Sequence, residues 1–412
     1  MKILFVAPFL RIPADFGIAV RNYELLKHLT RRHQLTVIAY SEDETGQTDS
    51  WLVERGARVV RLPYSLPWSS DKSRKASLQN LFYYPPASFQ RFSPQLLADA
   101  ISTCLSKDPD VDVIVFDTSL AGQAVLKRRF GKPQVLIVHD IYDALLRREF
   151  QTMANRPFKL VKLINWLKTS RYERRILSQF KNLMAVSSAD QRYLKEHFPK
   201  AGTYLVSNGV DTEFFSRNGH PRDVNTILFV GAFEYEPNVD AFFYFCREIL
   251  PSVRAQRPNT QFVAVGRKPT AAMRDYAEAN TGITLTGTVD DVRPFYGQAS
   301  VVVVPLRVGS GMKLKTLEAF GMGVPVVSTS VGCEGLEVHG GVHCRIADNS
   351  NAFSDHVLDL LAEPDKAAEL ARRAQHLVSD RYDWKRIAAE FEVAVDEIVR
   401  SGGSEQREIE AL

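Results

Sequence analysis

A chain of 412 residues is longer than one hydrophobic core usually organises, so its length predicts two domains, or at most three. Hydrophobic residues make up 45% and charged residues 24%, which is typical of a globular protein and excludes a disordered or collagen-like chain. The net charge of +4 is too small for the whole surface to bind a polyanion, and no nucleic-acid partner is expected.

The chain starts with MKILFVAPFL, in which a lysine precedes an apolar run. Polar residues follow at once without a small-residue cleavage site, so a first strand is expected rather than a signal peptide. No stretch reaches the roughly 18 uninterrupted apolar residues of a membrane-spanning helix. The four cysteines match neither a metal site nor a disulfide scaffold and are expected to be buried thiols. These features favour a cytoplasmic protein, in solution or peripheral on the inner face of the plasma membrane.

Short apolar runs alternate with longer helical patterns, which predicts parallel sheets with crossover helices. A first set of predicted strands covers residues 3–7, 35–40, 59–62, 113–116, 135–139, 183–187 and 203–207. A second set covers residues 227–231, 262–266, 283–287, 301–305 and 325–329. The pattern predicts an α/β fold of two doubly wound Rossmann-like domains, residues 1–210 and 211–385. Residues 386–412 should add a helix that packs back toward the first domain, and a frayed tail.

Ligands of open parallel sheets bind beyond the carboxyl ends of the strands, so three strand-to-helix junctions are candidate sites. At the first, Gly17 precedes a helix with an apolar stripe between residues 19 and 29. This glycine either allows close approach of a ligand or simply makes a tight turn. At the second, His139 ends an apolar strand. It either meets a ligand in a cleft between the domains or is a structural histidine with a satisfied hydrogen bond.

The third junction reads VVVVPLRVGSGMKLKTLEAFGMGVPVVST, in which a buried strand is followed by Gly309, Ser310 and Gly311 and then by a helix. Glycines before a helix N-terminus expose backbone N–H groups, which favours a phosphate site. Lys315 and Glu318 share one face of that helix, where the lysine can neutralise a diphosphate and the carboxylate can accept bonds from ribose hydroxyls. The alternative is an ordinary surface salt bridge between the two.

Other cofactor chemistry finds little support in the sequence. No strand is followed by a GxGxxG fingerprint and no GxxxxGK[ST] motif occurs, so a nicotinamide cofactor is not expected. Asp108, Asp110 and Asp112 resemble a metal-binding pair of acids, but they precede a predicted strand at its amino end. They are interpreted as a turn, and no metal requirement is expected.

Six motifs, taken in order, resemble the retaining, nucleotide-sugar-dependent glycosyltransferases of the GT-B fold, in particular family 4 and its group 1 relatives. They are the glycine-bearing loop after the first strand, the strand-terminal HD, AVSSADQRYL with VSNGVDTEFF, VGAFEYEPNVDA, GTVDDVRPFYGQASVVVVPL and LEAFGMGVPVVST. The resemblance covers nearly the whole chain.

The resemblance implies that the C-terminal domain holds the donor and the N-terminal domain the acceptor. By position, Glu318 matches the glutamate that holds the ribose, and Lys315 matches a basic residue near the phosphates. Gly17 matches the loop that closes over the diphosphate. His139 matches the histidine near the donor sugar and the reacting centre.

Three positions depart from the family pattern. Ser310 stands where a glutamate commonly contacts the donor sugar, and Ala232 and Asn238 occupy the stretch where an arginine and a lysine commonly bind phosphate. The missing positive charge is expected from one of three other cations: Arg307, Lys313 or Arg267.

The expected reaction is a hexosyl transfer from a UDP-, GDP- or dTDP-sugar to a glycan or lipid-linked acceptor in polysaccharide biosynthesis. The leaving diphosphate itself would take the acceptor proton on the same face of the sugar, without a protein nucleophile or a metal. Two alternatives stay open. They are a sugar-nucleotide epimerase of similar architecture and a non-catalytic partner subunit of the same fold.

Residues 147–181 form a locally basic segment, with ten basic residues against two acidic ones. Apolar and aromatic residues are interleaved with the charges. The pattern predicts either a segment that lies on an anionic membrane surface or a core-packed helix with solvated basic ends.

Overall fold

The computed structural model describes residues 1–10, 12, 14, 17–40, 47–64, 84–152, 159–216, 223–309 and 311–410. The chain divides into two compact units. Unit 1 consists of Met1–Ser207 and Ala388–Leu412, and unit 2 consists of Asn208–Ile387. Each unit is built on its own parallel sheet with its own core.

The sheet of unit 1 has seven strands in the order β3-β2-β1-β4-β5-β6-β7. The strands are β1 (Lys2–Ala7), β2 (Gln34–Tyr40), β3 (Arg58–Leu62), β4 (Val113–Asp117), β5 (Gln134–Val138), β6 (Asn182–Ala185) and β7 (Gly202–Leu205). All neighbours pair in parallel. Every residue of β4 is buried, as expected for a continuous apolar strand covered on both faces.

Helices of unit 1 connect these strands. They are α1 (Gly17–Leu29), α2 (Gln47–Val53), α3 (Ala87–Gln90), α4 (Pro94–Lys107), α5 (Thr118–Gly122), α6 (Tyr142–Thr152), α7 (Lys159–Leu177) and α8 (Ser188–His197). Local sequence fixes several starts: the Ser187 hydroxyl accepts the backbone N–H of Asp190 at 3.1 Å, and the Ser93 hydroxyl accepts that of Leu96 at 3.3 Å.

The sheet of unit 2 has six parallel strands in the order β10-β9-β8-β11-β12-β13. They are β8 (Thr226–Val230), β9 (Gln261–Val265), β10 (Ile283–Leu285), β11 (Val301–Val304), β12 (Val326–Ser328) and β13 (Arg345–Ile346). The central strand β11 is four buried valines. Gly231 and Gly266 follow β8 and β9, and a Cβ on Gly266 would lie 1.7 Å from the Gly231 carbonyl oxygen, so this approach requires glycine.

Unit 2 is completed by helices α9 (Glu236–Tyr244), α10 (Leu250–Gln256), α11 (Ala271–Ala279), α12 (Arg293–Gln298), α13 (Leu314–Gly321), α14 (Ser350–Ala362) and α15 (Pro364–Arg381). A π-helical turn, Phe245–Ile249, joins α9 to α10. The last helix, α16 (Trp384–Glu410), begins in unit 2 and continues into unit 1.

These observations confirm the predicted fold class of two Rossmann-like α/β domains. All twelve predicted strands are present, and only the two-residue strand β13 is added to them within the described residues. The four cysteines are free and buried, as expected. None of the described helices is both long and apolar enough to cross a membrane.

The structure corrects one expectation about the C-terminus, which was a frayed tail. Helix α16 instead runs on to Glu410. The Ser401 hydroxyl donates to the Glu397 carbonyl at 2.7 Å, and the glutamate, glutamine and arginine residues that follow are good helix formers.

Candidate functional site

A buried pair of side chains lies at the carboxyl edge of the unit 1 sheet. Asp117 ends β4, and His139 follows directly after β5. The imidazole Nε2 lies 2.5 Å from Asp117 Oδ1, and both side chains are buried. Asn22 of α1 donates from Nδ2 to the other Asp117 oxygen at 2.8 Å. His139 therefore has a satisfied hydrogen bond, and its ring is held in one orientation at the edge where ligands of such sheets bind.

The backbone at this pair is strained. Thr118, the residue after Asp117, has a φ angle of 70°, which a β-branched residue rarely adopts. Such a conformation costs about 1–3 kcal/mol and is found most often at functional sites. The strain supports the interpretation of this edge as a site rather than ordinary core.

Two further buried ionisable groups border this edge of unit 1. Arg21 of α1 donates to the carbonyls of Ser207 and Val206 at 2.7 and 2.9 Å, and burial lowers its pKa to about 10. Burial also raises the pKa of Glu173 to about 8, so this carboxyl is protonated at neutral pH.

Gly17 is the first residue of α1 and is exposed. A Cβ at this position would meet no described atom within 4 Å. The structure therefore gives no packing reason for glycine here, and the open space is compatible with the approach of a ligand.

In unit 2, Lys315 of α13 points toward the junction between β8 and α9. Its ammonium donates to Asn238 Oδ1 at 2.7 Å and lies 4.7 Å from the centre of the Phe229 ring. Asn238 is fixed in turn, because its Nδ2 donates to the Ala232 carbonyl at 2.8 Å. A Cβ on Gly231 would lie 2.9 Å from Lys315 Nζ, so the glycine leaves room for the lysine. Burial lowers the pKa of Lys315 to about 7, and Glu318 opposes that shift.

Glu318 lies one helical turn after Lys315 and has a different partner. Tyr296 of α12 donates its hydroxyl to Glu318 Oε2 at 2.9 Å. Burial raises the pKa of Glu318, and the bond from Tyr296 partly offsets that rise. Within the described part of the chain no ion pair joins Lys315 to Glu318, so the alternative of a surface salt bridge between them is wrong.

The glycines before α13 take backbone conformations that suit glycine. Gly309 has a φ angle of 147° and Gly311 of 68°. Lys313, the cap residue of α13, donates to the Gly311 carbonyl at 2.6 Å. Ser310 lies outside the described residues.

Two of the three cations expected to supply positive charge are neutralised by acids. Arg307 donates to both carboxylate oxygens of Asp240, at 2.5 and 3.0 Å, and Arg267 donates to Glu234 at 2.9 Å. Lys315, which is bonded to an amide rather than to an acid, is therefore the cation best placed for an anion at this helix.

The three aspartates near the start of β4 lie at the amino end of the sheet, as expected. Lys2 Nζ donates to Asp108 and Asp110 at 2.8 and 3.4 Å, and the Lys2 backbone N–H donates to Asp112 at 2.7 Å. In the described ranges, no three His, Cys, Asp or Glu side chains cluster as metal ligands would.

The basic segment 147–181 covers the end of α6, all of α7 and the four residues that follow α7, while residues 153–158 lie outside the described residues. The second half of α7 packs on the core through Tyr172 and Ile176. In the first half, Leu160, Ile164 and Leu167 are 65%, 39% and 49% exposed.

Sequence reasoning missed four residues that the structure brings to these sites, namely Asp117, Asn22, Asn238 as a partner of Lys315, and Tyr296. Asp117 carried a usable signal, because it ends the apolar run of β4 just as His139 ends the next predicted strand. Tyr296 carried none, since a buried tyrosine on a short helix resembles any core aromatic residue.

Comparison with protein families finds two matches. Residues 17–214 match the family described as Glycosyltransferase Family 4, and residues 224–380 match the family described as Glycosyl transferases group 1. The two matches together span most of both units.

Among curated proteins, the chain is 22% identical over 225 residues to the lipopolysaccharide 1,2-N-acetylglucosaminetransferase of Salmonella typhimurium. That match covers 48% of this chain and 58% of the relative. The chain spans about half the length of the curated relatives it matches.

Among solved structures, the chain is similar to the sucrose-phosphate synthase of Thermosynechococcus elongatus, with a TM-score of 0.71, 18% identity, and 97% and 99% of the two chains covered. It is also similar to Anabaena HepE in complex with UDP, with a TM-score of 0.66, 16% identity, and 96% and 100% covered. These likenesses concern the fold, and they confirm the predicted GT-B class.

Proposed function

We propose, on the premise that the chain belongs to the group 1 and family 4 glycosyltransferases, that it transfers a sugar from a nucleoside-diphosphate sugar to a glycan or lipid-linked acceptor. In this proposal unit 2 binds the donor and unit 1 contributes His139 and the acceptor site. The residues proposed to contact the donor are Gly17, Gly309, Gly311, Lys313, Lys315 and Glu318.

The observation that carries the proposal is the environment of Lys315. Its ammonium is bonded to a neutral amide and an aromatic ring, and within the described residues no carboxylate oxygen lies within 4.0 Å of Nζ. Lys315 is half-buried. A cation that is partly removed from water and has no close counter-ion is costly, and a bound diphosphate would lower that cost. Glu318, one turn further along α13, would then accept bonds from the ribose hydroxyls.

The proposed reaction retains the configuration at C1. The acceptor hydroxyl attacks C1 on the face from which the diphosphate leaves, the bond from C1 to the diphosphate oxygen breaks, and the hydroxyl proton passes to that oxygen. Glycosylated acceptor and nucleoside diphosphate are the products. Lys315 and the backbone amides before α13 stabilise the negative charge that develops on the leaving group, so no metal is required. Treatment with a chelator should then leave turnover unchanged.

His139 supports the donor sugar and its positively charged transition state in this scheme. Asp117 orients the imidazole through the 2.5 Å contact between Asp117 Oδ1 and His139 Nε2. Ser310, in place of the glutamate common in the family, leaves recognition of the sugar to other groups.

A thermal-shift screen with UDP-, GDP- and dTDP-sugars tests the donor class, because a ligand that binds only the folded protein raises its melting temperature. We expect a rise with one nucleotide series, and a smaller one in Lys315→Met. No rise with any of them would contradict the proposal.

The two alternative functions, a sugar-nucleotide epimerase and a non-catalytic partner subunit, predict different experimental results. An epimerase would convert a sugar nucleotide without an acceptor, whereas a transferase needs one. A non-catalytic partner subunit would keep its cellular role in Glu318→Ala, which a transferase would lose.

We also propose that α7 docks on an anionic membrane surface, where a lipid-linked acceptor would be reached. Leu160, Ile164 and Leu167 share one exposed helical face, and it continues into the exposed Arg171 and Arg175. Apolar side chains beside arginines are typical of helices that lie in the interface of anionic bilayers. The protein would then be peripheral on the cytoplasmic face.

Co-sedimentation with phosphatidylglycerol vesicles tests this face. We expect binding at low salt that weakens at high salt, and loss of binding in Leu167→Glu. Leu96→Glu is the matched control, since Leu96 is a similarly exposed leucine on α4 of the same unit. Absence of binding at low salt, or equal binding by both variants, would contradict the membrane proposal.

A further inference from the structure

The hydroxyl of Tyr296 lies at the centre of the unit 2 site although its ring belongs to the core. Its side chain is fully buried, and it reaches Glu318 Oε2 at 2.9 Å and the Lys315 carbonyl at 3.3 Å. One tyrosine on α12 therefore contacts both functional residues of α13.

The two oxygens of the Glu318 carboxylate differ in their surroundings. Oε2 accepts the bond from Tyr296, whereas Oε1 accepts none from the described residues. A glutamate has three side-chain torsions, and a carboxylate without a bond on either oxygen would sample several of them. The bond on Oε2 selects one orientation and leaves Oε1 as the acceptor for a ligand.

We propose that Tyr296 is a positioning residue, whose hydroxyl holds Glu318 so that the free carboxylate oxygen meets the ribose hydroxyls of the donor. The inference rests on the proposed function and deepens it: the donor contains a ribonucleotide, and its recognition depends on a side chain that does not touch it. Burial raises the pKa of Tyr296 well above its usual value, so the hydroxyl remains a donor throughout the pH range of an assay.

The test compares Tyr296→Phe with the wild-type protein in calorimetric binding of two nucleotide pairs, UDP with dUDP and GDP with dGDP. The wild type should bind the ribonucleotide about tenfold more tightly, because the 2′-hydroxyl bonds to a charged group. In Tyr296→Phe this preference should fall to about two- or threefold, with dUDP or dGDP bound as in the wild type.

Tyr382→Phe is the matched control. Tyr382 is a buried tyrosine of unit 2 whose hydroxyl accepts the Glu337 backbone N–H at 2.8 Å, outside the proposed site. This variant should keep the full ribose preference. A loss of preference in both variants would overturn the inference, because a general effect of losing a buried hydroxyl would then explain it.

A pH profile separates positioning from a purely structural role. The Tyr296 hydroxyl favours the carboxylate form of Glu318, as does Lys315, the charged group nearest to Glu318 on its own helix. Removing the hydroxyl raises the pKa of Glu318 further, so the acid limb of ribonucleotide affinity should move to higher pH. An unchanged acid limb would count against the inference.

The possible failures are distinguishable. If the wild type binds no nucleoside diphosphate, both the proposed function and the inference fall. If it binds with a ribose preference that Tyr296→Phe retains, the inference is wrong and the proposed function stands.

If Tyr296→Phe does not fold, 3-fluorotyrosine at position 296 provides a stronger hydrogen-bond donor of the same shape. It should then move the acid limb to lower pH, and an unmoved limb would overturn the inference.

Discussion

In unit 1 the ionisable groups at the carboxyl edge of the sheet are paired with each other, whereas in unit 2 the half-buried Lys315 has no acid within 4.0 Å among the described residues. His139 lies against Asp117, and Asn22 holds the second carboxylate oxygen. Lys315 is bonded to the amide of Asn238. The groups around Asp117 have their hydrogen-bond partners without a ligand, whereas a bound anion would stabilise the charge on Lys315. This difference is why we assign the diphosphate to unit 2 and a supporting role at the sugar to His139.

The largest effects are expected on turnover. They test whether His139 of unit 1 and Glu318 of unit 2 serve the same reaction. His139→Ala should lower turnover by about a hundred- to a thousandfold, as loss of a preorganised polar group at a reacting centre does. Glu318→Ala should lower turnover at a fixed, low donor concentration by about ten- to a hundredfold, because the carboxylate proposed to hold the ribose is lost. Circular dichroism should show that both variants keep the fold. Near-normal turnover in both would contradict the site assignment.

The next effect concerns nucleotide binding, and it tests directly whether Lys315 of unit 2 binds the diphosphate. Lys315→Met should weaken binding of the nucleoside diphosphate by about ten- to a hundredfold, because charge-assisted bonds to phosphate are lost. Calorimetry measures the change. Arg372→Met is the control, since Arg372 is an exposed, ion-paired cation on α15, and it should bind as the wild type does. If the wild type, Lys315→Met and Arg372→Met bind the nucleoside diphosphate with equal affinity, Lys315 does not contact the phosphates.

A smaller effect is expected from Asp117→Asn, which removes the charge but keeps the shape. The asparagine must either turn its amide N–H toward the Asn22 donor or turn it toward His139 and reverse the imidazole tautomer. We expect turnover to fall by about tenfold while nucleotide affinity stays unchanged. A loss of affinity with normal turnover would show that unit 1 acts in donor binding instead.

The smallest effect is a pH dependence of nucleoside diphosphate affinity, which should come from Lys315 in unit 2. Burial holds the pKa of the free Lys315 at about 7, and a bound diphosphate would raise it. Above pH 7 the complex therefore binds more protons than its free components, so binding takes up protons and affinity falls as pH rises. Between pH 7 and 8 the fall should be a few-fold, and at most about tenfold for one proton.

Calorimetry in two buffers of different ionisation enthalpy measures this proton uptake. Lys315→Arg should abolish it, because arginine stays charged throughout this range. Uptake that persists in Lys315→Arg would assign the proton to another group.

The fold was predictable because its signals are local. Apolar runs such as that of β11 mark strands buried on both faces. Runs of this kind identify twelve of the thirteen strands found in the described residues. The added strand, β13, has two residues and carries no such pattern. The continuation of α16 was missed because glycines at 402 and 403 usually end a helix.

The site was predictable only in part, because its partners are distant in sequence. Strand ends and glycine loops indicated His139, Lys315 and Glu318 as single residues. The residues that determine their surroundings, Asn238 and Tyr296, lie 77 and 22 positions from the groups they bind. Spacing along one helix left open whether Lys315 and Glu318 pair with each other, and in the structure each is bonded to a residue of another element.

A crystal structure of the protein with bound UDP or GDP tests the central claim most directly. We expect a diphosphate oxygen within about 3 Å of Lys315 Nζ and the ribose hydroxyls at the Glu318 carboxylate. A nucleotide bound elsewhere, with Lys315 still bonded to Asn238 alone, would contradict the assignment of the donor site to unit 2.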